Sequence, residues 1–201
     1  MGGVQFAGVA SVLLSLLALG CGSSSDSAGT DAQTGLSGTA FGQPFSARDT
    51  LLVHPQMWKS ADPGSTAILM SDTPNLCEQI TSGKTTAPSR LVIVSLEETG
   101  SDGSVVDLDP GQFVTQGEGT PGSRYGEMFL SAVDAGCNFN KLFSDQSSIQ
   151  VTAAGPKSDP VTVSVDVHFT NGDSLQGTVS AATACDEAAV DEYLNGNPKC
   201  G

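Results

Sequence analysis

The chain has 201 residues with 8 Lys+Arg against 22 Asp+Glu, a formal net charge of −14. So acidic a surface repels phosphate backbones and argues against nucleic acid as a partner. A composition rich in Gly, Ser and Thr and poor in Lys and Glu favours strands and turns over long amphipathic helices.

Residues 1–20 carry no charged side chain, and Val4 to Leu19 is almost wholly apolar. A permanent membrane span needs about 20 apolar residues, so this run is short for one and fits the core of an export signal. It ends in Ala18-Leu19-Gly20-Cys21, after which the sequence turns polar. That ending resembles the lipobox of bacterial lipoproteins. The resemblance implies that the Cys21 thiol receives a diacylglycerol, that the leader is cut just before it, and that acyl chains hold the protein on a bilayer. Gly22 in the next position implies, by the same resemblance, the outer membrane of the cell envelope. Each buried CH₂ contributes about 0.8 kcal/mol, so two or three chains anchor stably where one does not. The alternative is an ordinary cleaved signal that leaves Cys21 as a free thiol.

Gly22 to Gly35 holds no apolar side chain larger than Ala, the composition of a disordered spacer. Its r.m.s. reach is roughly 20 Å. The expected organisation is a signal peptide over 1–20, a lipidated cysteine and linker over 21–35, and one β-rich domain over 36–201.

Within that domain, Gly38 to Phe41 and Phe45 to Val53 flank the hairpin signal Gly42-Gln43-Pro44. His54 follows at a strand end. Trp58, the only tryptophan, lies in a connection bounded by Pro55 and Pro63, either as a core plug or as an exposed hot spot. Thr66 to Met70 and Leu91 to Leu96 are compact apolar runs of the kind that form central strands. Between them, Thr73-Pro74 predicts a short helix that ends before Gly83. Phe113 to Gln116, Glu127 to Val133 and Ser148 to Ala154 read as further strands.

The clearest element is Pro160 to Thr170. Val161, Val163, Val165, Val167 and Phe169 share one face, and Thr162, Ser164, Asp166 and His168 the other. Asn171-Gly172-Asp173 turns the chain into a partner strand, Leu175 to Ala181. Asp186 to Leu194 reads as a second helix with acidic residues in its first turn, where the helix dipole favours them. Many short strands with two minor helices predict a mainly β fold, an antiparallel β-sandwich or barrel-like domain.

Setting Cys21 aside leaves Cys77, Cys137, Cys185 and Cys200, an even number suited to an oxidising compartment. Four cysteines allow three pairings. The short loop closed by Cys185–Cys200 favours that bond together with Cys77–Cys137, giving two disulfides. Zinc is disfavoured, because no CxxC occurs and neither histidine lies near a cysteine in sequence.

Motifs for chemistry are sparse. Gly117 to Gly122 matches GxGxxG, but no βαβ unit surrounds it and Pro121 withdraws a backbone donor. Gly83-Lys84-Thr85 has only the tail of a P-loop. Asp102, Asp107 and Asp109 are candidate calcium ligands, though their spacing fits no EF-hand and their Gly and Pro neighbours are ordinary turn formers. His54 and His168 are the only histidines, no GxSxG is present, and Asp166 with His168 is the single acid–histidine proximity. No cofactor is expected. The sequence therefore reads as a non-enzymatic binding or structural module of the cell envelope, tethered to the membrane through Cys21, with an envelope protein or glycan as its partner. The alternatives are a secreted hydrolase with an unrecognised site and a calcium-stabilised adhesion-like module.

Overall fold

The computed structural model describes residues 35–54, 65–115, 118–183, 185–195 and 199–200. The chain opens with two short strands, β1 (Ser37–Ala40) and β2 (Gln43–Ser46), joined by Phe41-Gly42. Both turn residues have positive φ, 54° and 70°, the backbone of a type I′ turn whose twist matches its flanking strands. The turn is one residue tighter than the sequence signal implied: Gln43 and Pro44 belong to the strand. Pro44 is tolerated there because β2 is an edge. The expected strand Phe45 to Val53 is two elements, since the chain breaks at Ala47-Arg48 before β3 (Asp49–Val53).

The chain continues through β4 (Thr66–Ser71), α1 (Leu76–Ser82), β5 (Lys84–Thr85), β6 (Ser89–Thr99), β7 (Val105–Val106), β8 (Gly111–Phe113) and β9 (Arg124–Val133). After these come β10 (Phe139–Ala154), β11 (Val161–Phe169), β12 (Ser174–Ala181), α2 (Glu187–Asn195) and β13 (Lys199–Cys200). The main sheet is antiparallel throughout, in the order β2-β1-β12-β11-β10-β9-β6-β4-β3, with β7 on β6 and β8 on β10. It curls until β3, at its far edge, returns to the end of β12: the Leu52 N–H donates to the Ala182 carbonyl at 3.1 Å. The fold is mainly β and barrel-like, with two short helices, as the strand pattern predicted.

The curl depends on β10. Its first five residues pair with β9, and from Ser144 onward it pairs with β11. Register shifts after Ser144 and after Val151 bend it, as β-bulges do where a sheet turns a corner. Leu52, Ile68, Met70, Leu96, Phe113 and Met128 line the enclosed core with the alternate valines of β11. Gly126 admits the close approach on which that packing relies, since a Cβ there would lie 2.8 Å from the Phe113 Cβ.

β4 is buried along its whole length. Its inner residues enter the core, while Ala67 and Leu69 join Leu51, Val53 and Ile93 in a second cluster on the outer face. That surface cannot remain wet, and α1 and α2 cover it with Leu76, Ile80 and Val190. Helix α1 begins later than Thr73-Pro74 implied. Asn75 precedes it, and the Asp49 carboxylate accepts the Leu76 N–H at 2.7 Å. Gly83 ends it in the left-handed conformation expected of a C-terminal glycine.

Two disulfides form, but not in the pairing favoured by loop length. The helices lie together and join Cys77 to Cys185, with Cα atoms 5.5 Å apart. Strand β13 runs parallel to β5 and carries Cys200 to Cys137 in the β9–β10 turn, with Cα atoms 6.0 Å apart. Packing of the helices on a shared apolar face decides the pairing, and that face is invisible in cysteine spacing.

Asp173 clasps two hairpins. It is only 4% exposed, and its carboxylate accepts the Gly42 N–H at 3.0 Å across 131 residues, as well as the Asn171 amide. Burial alone would raise its pKa. The hydrogen bonds from Asn171, Gly42, Thr39 and Phe41 outweigh burial and hold the pKa below its ordinary 3.8.

Replacing Cys77 and Cys185 by Ser opens a loop of sequence separation 108 and should cost about 4 to 5 kcal/mol in the chain-entropy model, read by denaturant unfolding. Non-reducing peptide mapping should recover the Cys77–Cys185 and Cys137–Cys200 fragments. Asp173→Asn should cost about 2 kcal/mol. Because the folded pKa is lowered, the native carboxylate's contribution is full above 3.8 and disappears as pH falls through the folded value. The gap between native and variant protein should therefore shrink below that pH.

Candidate functional site

Cys21 and Trp58 lie outside the described residues. The strand order places the two histidines at strands that do not pair with each other, β3 and β11. His54 directly follows β3, with its Nδ1 3.4 Å from the Thr66 hydroxyl. His168 stands on the solvent face of β11, with its Nε2 3.8 Å from Asp166 and both side chains well exposed. The sheet's alternation brings Asp166 and His168 side by side, as the sequence indicated. Among the described residues, neither histidine is bonded to both a hydroxyl and a carboxylate, as nucleophile activation requires.

The three acidic candidates for calcium have separate partners. The Asp102 carboxylate accepts the N–H and hydroxyl of Ser104 within its own turn, which lowers its pKa. Asp107 accepts the Lys157 N–H at 3.1 Å. Asp109 donates its backbone N–H to Glu98. Among the described residues, no three His, Cys, Asp or Glu side chains converge as metal ligands. Of the GxGxxG segment, Gly117 lies outside the described residues. The Gly119 N–H serves Glu97, and the Gly122 N–H serves the carbonyls of Thr99 and Gly100, so these donors are spent within the protein.

Three surface features remain. The outer face of β10, β11 and β12 is rich in hydroxyls and amides and also carries Asp166 and His168. Within it Ser164 bonds Thr178 at 2.7 Å and Thr162 bonds Ser180 at 3.1 Å. A cleft of about 360 Å³ lies beside α1, lined by Thr73, Asn75, Glu78, Ser82, Lys84 and Thr86. Its buried Gln79 is fully engaged, donating to Thr73 and Pro74 and accepting from Thr86. Nearby, the Thr85 and Tyr193 hydroxyls bond each other and link β5 to α2.

The third feature escaped sequence reading. On the outer face of β6 and β9, Glu97 faces Tyr125 and Ser95 faces Glu127. Tyr125 donates to the Glu127 carboxylate at 3.0 Å. Glu97, only 7% exposed, accepts from Thr99 and from the Gly119 N–H at 3.2 Å, and no cation pairs with it among the described residues. Burial raises the Tyr125 pKa, and so do its bond to Glu127 and the charges of Glu127, Glu118 and Glu97. The period-two spacing of Tyr125 and Glu127 was legible in the sequence. Their approach to Glu97 required the strand register.

These surfaces supply hydrogen-bond donors and acceptors for non-covalent contact. In the Tyr125 cluster, Glu127→Gln removes both an acceptor and a charge. The variant's tyrosine absorbance should therefore titrate at lower pH than that of the native protein in a near-ultraviolet pH titration, with Tyr193 unmoved. The chain matches no protein-family model, no curated protein and no solved structure.

Proposed function

We propose that this chain is an extracytoplasmic lipoprotein of the bacterial cell envelope, anchored through acylated Cys21 and held off the bilayer by residues 22–35. Its β-domain acts as a binding module for an envelope component. The observation that carries this reading is Ala18-Leu19-Gly20-Cys21 at the end of an uncharged apolar leader, followed at once by a polar spacer. The disulfides support an oxidising compartment. All four downstream cysteines pair within the domain, which leaves Cys21 as the fifth. The hydroxyl-rich face of β10, β11 and β12 and the polar cleft support non-covalent recognition by the domain.

Intact mass of the membrane-extracted protein tests the reading. The expected mass is that of residues 21–201 plus acyl chains, rising by about 4 Da on reduction as two disulfides open. Cys21→Ser should abolish acylation and move the protein to the soluble fraction. An unacylated native chain, or one starting at another residue, would overturn the proposal.

A further inference from the structure

Strand β10 is flanked unevenly. From Ser144 onward it has β11 on one side, but β11 ends at Phe169 opposite Ser144. Residues Phe139–Phe143 pair with β9 alone. Among the described residues no element pairs with their other side, so the segment Phe-Asn-Lys-Leu-Phe is a sheet edge whose outward backbone donors and acceptors have no strand partner among them.

The rows of side chains crossing this edge specify what could extend it. Leu142 points inward against the core. On the outer face, Ile93, Phe129 and Phe143 form one row that starts under the helices and reaches the edge. The Phe129 and Phe143 rings lie 5.7 Å apart, yet Phe143 is 55% exposed because the row stops there. Phe139 ends a parallel row after Val133 and is also exposed. Between them, Lys141 ends the row of Leu91 and Ser131, and it is the only charged side chain from Phe139 to Phe143. The turn leading into the edge is tied through Cys137 to Cys200, whose neighbour Lys199 stands in register with Lys84. Three of the protein's five lysines thus belong to the edge and the strand pair fastened to it. Asp134 in that turn spends its carboxylate on Gly136 and Asn138.

We propose that Phe139–Phe143 receives an extended strand from a partner protein by β-strand addition, and that the incoming strand places an acidic residue between two apolar ones. Main-chain hydrogen bonds supply the docking, apolar side chains continue the rows of Phe139 and Phe143, and the carboxylate meets Lys141. A second copy of this chain fits less well. Antiparallel self-pairing centred on the segment sets Lys141 against Lys141, and two chains of net charge −14 repel. Lysine on an edge blocks self-association in this way, while an acidic strand remains admissible.

The inference rests on the binding-module reading and names the class of partner. Its test uses the protein as cells make it. The peptide Thr-Val-Thr-Glu-Thr-Val-Thr and its counterpart with Lys at the centre are titrated to millimolar concentration while backbone amide shifts are followed by NMR. Shifts should concentrate at Phe139–Phe143, with the Glu peptide binding about tenfold tighter, and Lys141→Glu, at an exposed position, should reverse the preference. Absence of binding by both peptides, a preference unchanged by Lys141→Glu, or sedimentation as a dimer paired through this edge would each overturn the inference. Any of these results with Cys21 still acylated would leave the anchored reading intact, so the two fail separately.

Discussion

The pairing of one strand with two different neighbours organises the rest of this molecule. Strand β10 joins β9 through its first residues and β11 through the remainder, so the sheet bends around it and encloses a core. An antiparallel sheet that stayed flat would leave the valine face of β11 with nothing to pack on. Curling brings Val163 and Val165 into the cluster that holds Phe113, Met128 and Leu96. The same strand runs on past the end of β11 and leaves a gap in the pairing described.

Closure has a second consequence. With one face of β3, β4 and β6 lining the core, the other face is still apolar through Leu51, Leu69 and Ile93. Two short helices shield it. Neither is long enough to be stable alone in water, so packing onto the sheet and the Cys77–Cys185 bond hold them. Polar contacts then fix how the pieces meet. Arg90 pairs with Asp72 at 2.7 Å and donates to the Ala40 and Gln43 carbonyls, which fastens the first hairpin to the central strands. Arg124 does the same at the other end, between Glu98 and the Pro110 carbonyl.

The charge distribution follows from these economies. Two of the three arginines are used as internal fasteners, which leaves the acidic surface largely uncompensated. Around Tyr125 the carboxylates of Glu97, Glu118 and Glu127 gather without a cation among the described residues, whereas lysines mark the β5–β13 pair and the β10 edge.

The sequence by itself determined the strands whose burial alternates and the turns whose chemistry is local. The valines of β11, the Asn171-Gly172-Asp173 turn and the glycine that stops α1 were legible because each depends on residues only a few positions apart. Only the tertiary structure decided which cysteines meet, because Cys77 reaches Cys185 through two helices that share an apolar face 108 residues apart in sequence. The full length of β10, the approach of Glu97 to Tyr125 and the exposure of Phe143 were likewise hidden. Each is a matter of which strand lies alongside which, and periodicity within one strand assigns a residue to a face without naming the neighbour across from it.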